Sequence, residues 1–509
     1  MFENQPKALY ALALANTGER FGYYTMIAVF SLFLRANFGL SGNTAGLIYG
    51  VFLALVYFLP LVGGIMADKF GYGKMVTIGI IVMFAGYLFL SIPLGGGVMG
   101  YAAMFGALLL VSLGTGLFKG NLQVMVGNLY DAPELSAKRD SGFSIFYMAI
   151  NIGALFAPTA AVRIKEWAEH SLGYSGNDAY HFSFAVACVS LIVSMMIYYA
   201  FRSTFRHVEA GAGKSKKTDT TVATEELTPQ QTKERIVALC LVFAVVIFFW
   251  MSFHQNGLTL TFFADEFVNP KSEGVQTMAF DVINLVMIIF MIYSIMSFFQ
   301  SKTSKAKLIS TVVFLAAVGV LVYKYHNIGG PVDVSAPIFQ QFNPFYVVAL
   351  TPVSMAIFGA LAAKGKEPTA PRKIAYGMII AGSAYLLMVL ASRGLLTPNE
   401  QDAAKAAGET VPFASGNWLI GTYLILTFGE LLLSPMGISF VSKVAPPKYK
   451  GTMMGGWFVA TAIGNLLVSV GGFLWNDIPL TIVWSVFIVL CLLSAGFMFL
   501  MMKRLEKVA

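Results

Sequence analysis

The chain has 509 residues, 57% of them hydrophobic and 12% charged, with a formal net charge of +8. An ordinary soluble domain is about 25% charged, so water is excluded as the solvent for most of this surface. The positive charge is dispersed over short segments rather than gathered on one face, which argues against nucleic acid as a partner.

A helix rising about 1.5 Å per residue needs roughly 20 apolar residues to cross a bilayer core. Fourteen such segments are predicted. The first runs from about Lys7 to Ala36 and lacks the short apolar core and small-residue cleavage site of a signal peptide, so it reads as a retained transmembrane helix. The next five lie near 45–67, 75–95, 101–129, 141–162 and 180–201. After a polar stretch from Arg202 to Arg235, eight more follow near 235–264, 276–299, 307–324, 344–363, 373–392, 417–442, 452–475 and 480–502.

The polar stretch, with GAGKSKK and TDTTVATEELTPQQTKER, is too poor in apolar residues to build a core and reads as a linker between halves. Six spans before it and eight after it suggest an all-α polytopic membrane protein of six plus six helices with two added. The added pair, at about 276–324, is an apolar hairpin closed by QSKTSKAK. The expected division is therefore an N-terminal six-helix bundle over 1–202, a cytoplasmic linker over 203–234, and a C-terminal six-helix bundle with the inserted pair over 235–509.

If the N-terminus is cytoplasmic, an even number of spans returns the C-terminus to the same side. Sorted by loop, 25 Lys and Arg residues then fall inside, 7 outside and 2 within the membrane. The inside set includes Lys69, Lys74, Lys138, Arg139, Lys302, Lys305, Lys307, Arg372, Lys373, Lys503, Arg504 and Lys507. This asymmetry predicts a multi-pass plasma-membrane protein, with both termini in the cytoplasm. Cys188, Cys240 and Cys491 lie in predicted spans without ligand spacing, so neither a disulfide framework nor a metal site is expected. GTGLFKGN and GTMMGGW lack the lysine and hydroxyl of a phosphate loop, and no catalytic motif is present, so neither a cofactor nor an enzymatic activity is expected.

A charge at mid-bilayer costs roughly 2.5 to 3.5 kcal/mol on insertion scales, so an ionisable residue there needs a partner or a task. Glu19, Arg20, Lys119 and Glu430 stand out. At about 100° per residue, Asn16, Glu19, Arg20, Tyr23 and Tyr24 of the first span fall within an arc of about 140°, one polar face. Lys119 lies mid-helix beside Gly114, Gly116 and Gly120, which permit close helix approach. Glu430 has no nearby cation in sequence, and Pro435 weakens its helix by removing a backbone bond. The first half thus carries a net charge of plus one inside the membrane and the second half minus one. A zwitterion, with its carboxylate toward Arg20 and Lys119 and its ammonium toward Glu430, would fit across that divide.

These residues sit in motifs that resemble the proton-dependent oligopeptide transporter family of the major facilitator superfamily. In order they are GERFGYY, GGIMADKFGYGK, FKGN with GNLY, FYMAINIGALFAP at 146–158, FQQFNP at 339–344, GELLLSP at 429–435 and GTMMGGWFVATAIGN at 451–465. The resemblance implies a major facilitator fold and proton-coupled import of di- and tripeptides by alternating access, the site lying between the two bundles. By motif position it implies that Arg20 and Lys119 hold the peptide carboxylate, Glu430 its amino group, and Asn151 and Asn343 its backbone. Tyr23, Tyr24, Tyr147 and Trp457 would line the pocket, with Ser434 and Pro435 on a bending helix.

Three departures from the family pattern stand out. Asn16 occupies the place of a leading glutamate, which leaves Glu19 as the titratable carboxylate of its motif. His254 stands where many relatives have an acid and, with an ordinary pKa near 6.5, could share proton coupling with Glu19 and Arg20. The inserted pair follows the seventh canonical helix instead of the sixth. The rival expectations are a carrier of nitrate or another small anion, which Glu430 opposes, and a non-transporting peptide sensor. A monomer with peptides, protons and the lipid bilayer as its partners is expected.

Overall fold

The computed structural model describes residues 5–130, 133–136, 139–210, 227–446 and 450–508. Lys138 and residues 211–226 of the expected linker lie outside the described residues. The first half contains α1 (Lys7–Phe38), α2 (Gly42–Phe70), α3 (Tyr72–Leu90), α4 (Val98–Asn128), the short α5 (Pro133–Ser136), α6 (Arg139–Leu172) and α7 (Tyr180–Ala200). The second half starts with α8 (Pro229–Phe253), α9 (Thr259–Glu266), α10 (Val275–Phe280), α11 (Val282–Gln300) and α12 (Ser304–His326). It continues with α13 (Phe342–Ala363), α14 (Ala370–Ala391), α15 (Pro398–Ala406), α16 (Asn417–Val444), α17 (Lys450–Leu467), α18 (Ser469–Trp475) and α19 (Leu480–Val508). A two-residue antiparallel pair, β1 (Lys271–Ser272) with β2 (Val332–Asp333), ties the two ends of the hairpin insertion together.

Among the described residues, thirteen stretches are long and apolar enough to cross a membrane. Three of them are composite: α8 running on into α9, the 3₁₀ turn Ala336–Gln341 into α13, and α17 into α18. The fourteenth long helix is α1, 32 residues by itself, whose Asn16 to Arg20 segment and Arg35 lower its hydropathy. It is spared the cost of that polarity by position: α6 and α7 pack along it, and Asn16, Glu19 and Arg20 are all buried.

Local chemistry explains several boundaries. α8 opens on a capping box in which Thr228 accepts from the Gln231 backbone and the Gln231 side chain accepts from the Thr228 N–H, with Pro229 in the first turn. α15 repeats the device with Thr397 and Glu400, and the backbone N–H of Thr397 holds the Glu400 carboxyl below its ordinary value. α1 ends at Gly39, which takes the left-handed conformation at φ 61° that closes many helices. The span expected near 235–264 is broken: α8 stops at Phe253 and a 3₁₀ turn, His254–Gly257, intervenes before α9.

Two bundles result. In the first, α3 and α2 pack on α4 while α1 packs on α6 and α7; in the second, α14 packs on α16 and α19, and α8 on α17 and α19. The halves meet along two seams, α2 against α17 and α18, and α6 against α13 and the 3₁₀ turn Ala336–Gln341 that precedes it. At the first seam two glycines face each other; a Cβ on Gly46 would lie 3.0 Å from the Gly472 Cα, so the backbones touch where side chains would hold them apart. The hairpin α11–α12 stays outside, packed on itself and, through α11, mainly on α13. This is the major facilitator architecture expected from the sequence, two six-helix bundles with an added pair.

Helix alternation brings both termini to one side, called proximal here. Tyr130 at the end of α4 donates 2.6 Å to Gln5, and Lys507 at the chain end lies 3.1 Å from Glu234 at the start of α8. On the opposite, distal side the halves are joined. Arg35 of α1 forms an ion pair with Glu266 of α9 and lies 4.6 Å from the Phe262 ring centre, while the Trp475 indole donates 3.1 Å to the same carboxylate. Gln340 donates 3.1 Å to the Ala28 carbonyl, and Thr159 donates 3.0 Å to Gln341.

Candidate functional site

Proximal to that closure, the intramembrane charges gather at the boundary between the halves. Glu19 and Arg20 make a bidentate pair, with Arg20 Nε and Nη2 each 2.5 Å from a Glu19 oxygen and both side chains almost fully buried. Neighbouring residues can pair in this way because the sealed helix face offers them no water, and two parallel bonds satisfy charges that solvent cannot reach. The Arg20 guanidinium lies 4.8 Å from the Tyr23 ring centre, and Tyr23 meets Tyr24 edge-on at 5.4 Å and Phe52 of α2 face-on at 6.4 Å.

Lys119 of α4 meets no carboxylate directly among the described residues. Its Nζ lies 3.9 Å from the Tyr57 ring centre, a cation on an aromatic face, with Arg20 and Glu19 within electrostatic range. Tyr57, on α2 one turn before Pro60, is in turn within range of Tyr24, Arg20 and Glu430. Reading the sequence did not single it out, because a lone tyrosine in an apolar helix gives no sign of which way it faces.

Across the divide, Glu430 of α16 is 7% exposed. Asn343, at the start of α13, donates 3.0 Å to its carboxylate and 3.0 Å to the Thr427 hydroxyl. No cation bonds to Glu430 among the described residues. Tyr24 and Tyr147 of the first half both lie within its electrostatic range. Tyr147 of α6 is 48% exposed despite these neighbours, which places it on the wall of an accessible space. One turn along α6, Asn151 is buried and donates 3.1 Å back to the Tyr147 carbonyl.

His254 sits at the break between α8 and α9, its ring stacked on Trp250 at 5.1 Å and 6.2 Å from Tyr57. Its Nδ1 lies 2.5 Å from Oδ1 of Asn465 in α17, a partner that the sequence did not announce. Gln255, next in the chain, turns away to bond the Met251 and Val468 carbonyls and the Thr259 hydroxyl. Two expected pocket residues lie deeper in the second bundle. The Trp457 ring packs where a Cβ on Gly437 would be, 2.0 Å from it, and is 3% exposed. Ser434 Oγ is buried without a hydrogen-bond partner, one residue before Pro435 in the interior of α16.

Two helical bundles with buried charges gathered along the boundary between them, joined on the distal side by direct contacts, make this a membrane transporter of the major facilitator type. The chain belongs to the POT family, whose model matches residues 73–225 and 324–483. A di-/tripeptide transporter of Lactococcus lactis subsp. cremoris is 29% identical over 497 residues, covering 92% of this chain and 89% of that protein. Dipeptide and tripeptide permease B of Xenorhabdus bovienii is 26% identical, covering 92% and 86% respectively. Among solved structures, a peptide transporter POT in complex with sulfate superposes with a TM-score of 0.73 at 22% identity, over 100% of this chain and 96% of that one.

Proposed function

We propose that this transporter imports di- and tripeptides together with protons across a plasma membrane. The observation that carries the reading is the buried carboxylate of Glu430, held by the neutral amide of Asn343, across the boundary from a first half that holds Arg20 and the unbridged Lys119. A buried carboxylate without a cation is costly, and the ammonium of a zwitterion removes that cost while its carboxylate meets Lys119 and Arg20. The peptide permeases among the relatives support the same reading.

In this scheme Glu19 holds Arg20 until a proton neutralises the carboxylate and releases the guanidinium toward the peptide. Asn16, buried beside them, cannot titrate, so Glu19 and His254 are the proton-coupling candidates. Tyr23, Tyr24 and Tyr147 line the cleft, Asn151 and Asn343 bind the peptide backbone, and Ser434 and Trp457 support the kinked wall. The segments 1–202 and 235–509 rock as bodies joined by the 203–234 linker. The excess of Lys and Arg on the proximal side supports a cytoplasmic location for it, with distal closure the state that releases cargo inward. We further propose that the protein acts as a monomer.

Uptake of labelled dialanine into proteoliposomes, with and without an inward proton gradient, tests the proposal. Gradient-stimulated uptake, competed by dipeptides but not by alanine or nitrate, is expected. Glu430→Gln should forfeit roughly 2 to 5 kcal/mol of binding, as truncation of one partner in a buried charge pair does. Absence of uptake by folded wild-type protein would refute the peptide assignment.

A further inference from the structure

His254 is oriented by a residue from another helix. With the Asn465 amide oxygen 2.5 Å from the ring, this orientation calls for the hydrogen on Nδ1 of the imidazole, because a carbonyl oxygen only accepts. The neutral ring then carries its lone pair on Nε2. Asn465 is fully buried. Its neighbour Gly464 lets α17 press on α8: a Cβ there would fall 2.5 Å from the Ile247 carbonyl oxygen and 2.9 Å from the Trp250 Cβ. On the other side Gly50 of α2 comes as close, its Cβ position 3.2 Å from the Asn465 carbonyl oxygen. Asn465 is thus clamped at the seam between the halves. Its Nδ2 is buried with no partner, although an unpaired buried donor is a net cost. Packing alone gives no reason to tolerate that cost; orienting the imidazole does.

We propose that Asn465 is a positioning residue of the transport site, holding His254 Nδ1–H so that any proton the ring gains or loses moves at Nε2. The idea rests on the reading of His254 as a coupling residue. The groups around the ring are compatible with it. From α2 come Tyr57, and Tyr49 with its hydroxyl against Gly257; from α4 comes Lys119, within electrostatic range. From α16 Tyr423 donates 3.1 Å to the Asn256 carbonyl, and from α14 Tyr385 bonds the Ser252 carbonyl. From α17 the bonded partner is the Asn465 amide. Among the described residues no carboxylate bonds to the ring, so the amide oxygen is the acceptor that fixes which nitrogen titrates.

The test combines spectroscopy with transport. The full-length protein labelled with ¹⁵N-histidine contains five histidines, and the His254 signals are assigned by their loss in His254→Gln. At neutral pH they should report the Nδ1–H tautomer, and Asn465→Leu should shift that ring toward the Nε2–H form. An Nε2–H ring in the wild type overturns the proposal, whatever solute is carried. In dialanine uptake, Asn465→Asp should move the pH profile upward by roughly one unit and Asn465→Leu should move it downward, because a carboxylate favours the imidazolium and leucine removes its acceptor. Neither substitution should move the profile in the His254→Gln background. Equal shifts with and without His254 would reduce Asn465 to a packing residue. If wild-type protein carries no dialanine, the peptide reading fails, and the tautomer measurement still decides the role of Asn465.

Discussion

The first helix and the α11–α12 hairpin are opposite answers to the same solvent. α1 carries Asn16, Glu19 and Arg20 in its middle, falls short in hydropathy, and hides those residues behind α6 and α7. The hairpin is strongly apolar, with mean hydropathies of 2.4 and 2.1, yet only 22% and 11% of its spans are buried in the protein. A lipid-facing helix needs apolar side chains all round, whereas a helix sealed by its neighbours can hold charges if they satisfy one another. Hydropathy therefore marks where lipid is met, and its local failure marks where chemistry is placed.

The largest effect should come from breaking the sealed pair. Arg20→Met leaves the Glu19 carboxylate buried and uncompensated, a change that costs about 3 to 5 kcal/mol in buried pairs. A marked fall in the thermal unfolding midpoint of the detergent-solubilised protein is expected, together with loss of uptake. Removing both charges, with Glu19→Gln added, should restore most of the stability and none of the uptake. A double variant as unstable as Arg20→Met would mean that Arg20 is held by packing rather than by charge.

Next in size is the reverse experiment, a charge placed where none is sealed. Leu315 lies at the centre of α12 and is 61% exposed, so on the membrane reading it meets lipid. Leu315→Arg should cost roughly 2.5 to 3.5 kcal/mol of insertion free energy, seen as reduced membrane yield. Normal yield would show that this face is covered by another protein surface. A smaller loss is expected where α7 supports α1. Ser194 donates 2.6 Å to the Ala15 carbonyl in the buried contact between these helices, and Ser194→Ala should cost about 1 kcal/mol. An unchanged midpoint would show that α1 is held without that bond.

The contrast between these regions also explains what could be read in advance. Thirteen spans, the added pair among them, were legible because long apolar runs have one physical meaning in a chain this poor in charge, while the buried charges of α1 weaken that signal. Glu19, Arg20, Lys119, His254 and Glu430 were legible because an ionisable group inside such a run is conspicuous. Tyr57, Thr427 and Asn465 were not, since a neutral residue that shares no helix face with a charge and has no motif role draws attention only once packing shows what it faces. The break at His254–Gly257 was hidden for a related reason. At that break the Tyr49 hydroxyl of α2 occupies the space a Cβ on Gly257 would need, 1.9 Å away, and no local pattern encodes that neighbour.

The smallest effect should be found on the hairpin itself. Tyr293 of α11 is 37% exposed and donates 3.2 Å to the Val348 carbonyl of α13, a polar tie between the hairpin and the bundle. Interhelical hydrogen bonds in membranes average about 0.6 kcal/mol, because a released group finds other partners in the membrane. Tyr293→Phe keeps the ring and removes only the hydroxyl, so the unfolding midpoint should scarcely move and dialanine uptake should stay within about twofold of wild type, as that small energy allows. Pro352, four residues along α13, has no N–H to give the Val348 carbonyl, so that carbonyl must find another donor for the effect to stay this small. If uptake instead fell as far as in Arg20→Met while the fold persisted, the hairpin would be moving with the transport cycle, and its exposed apolar surface would have to be counted as part of the machinery.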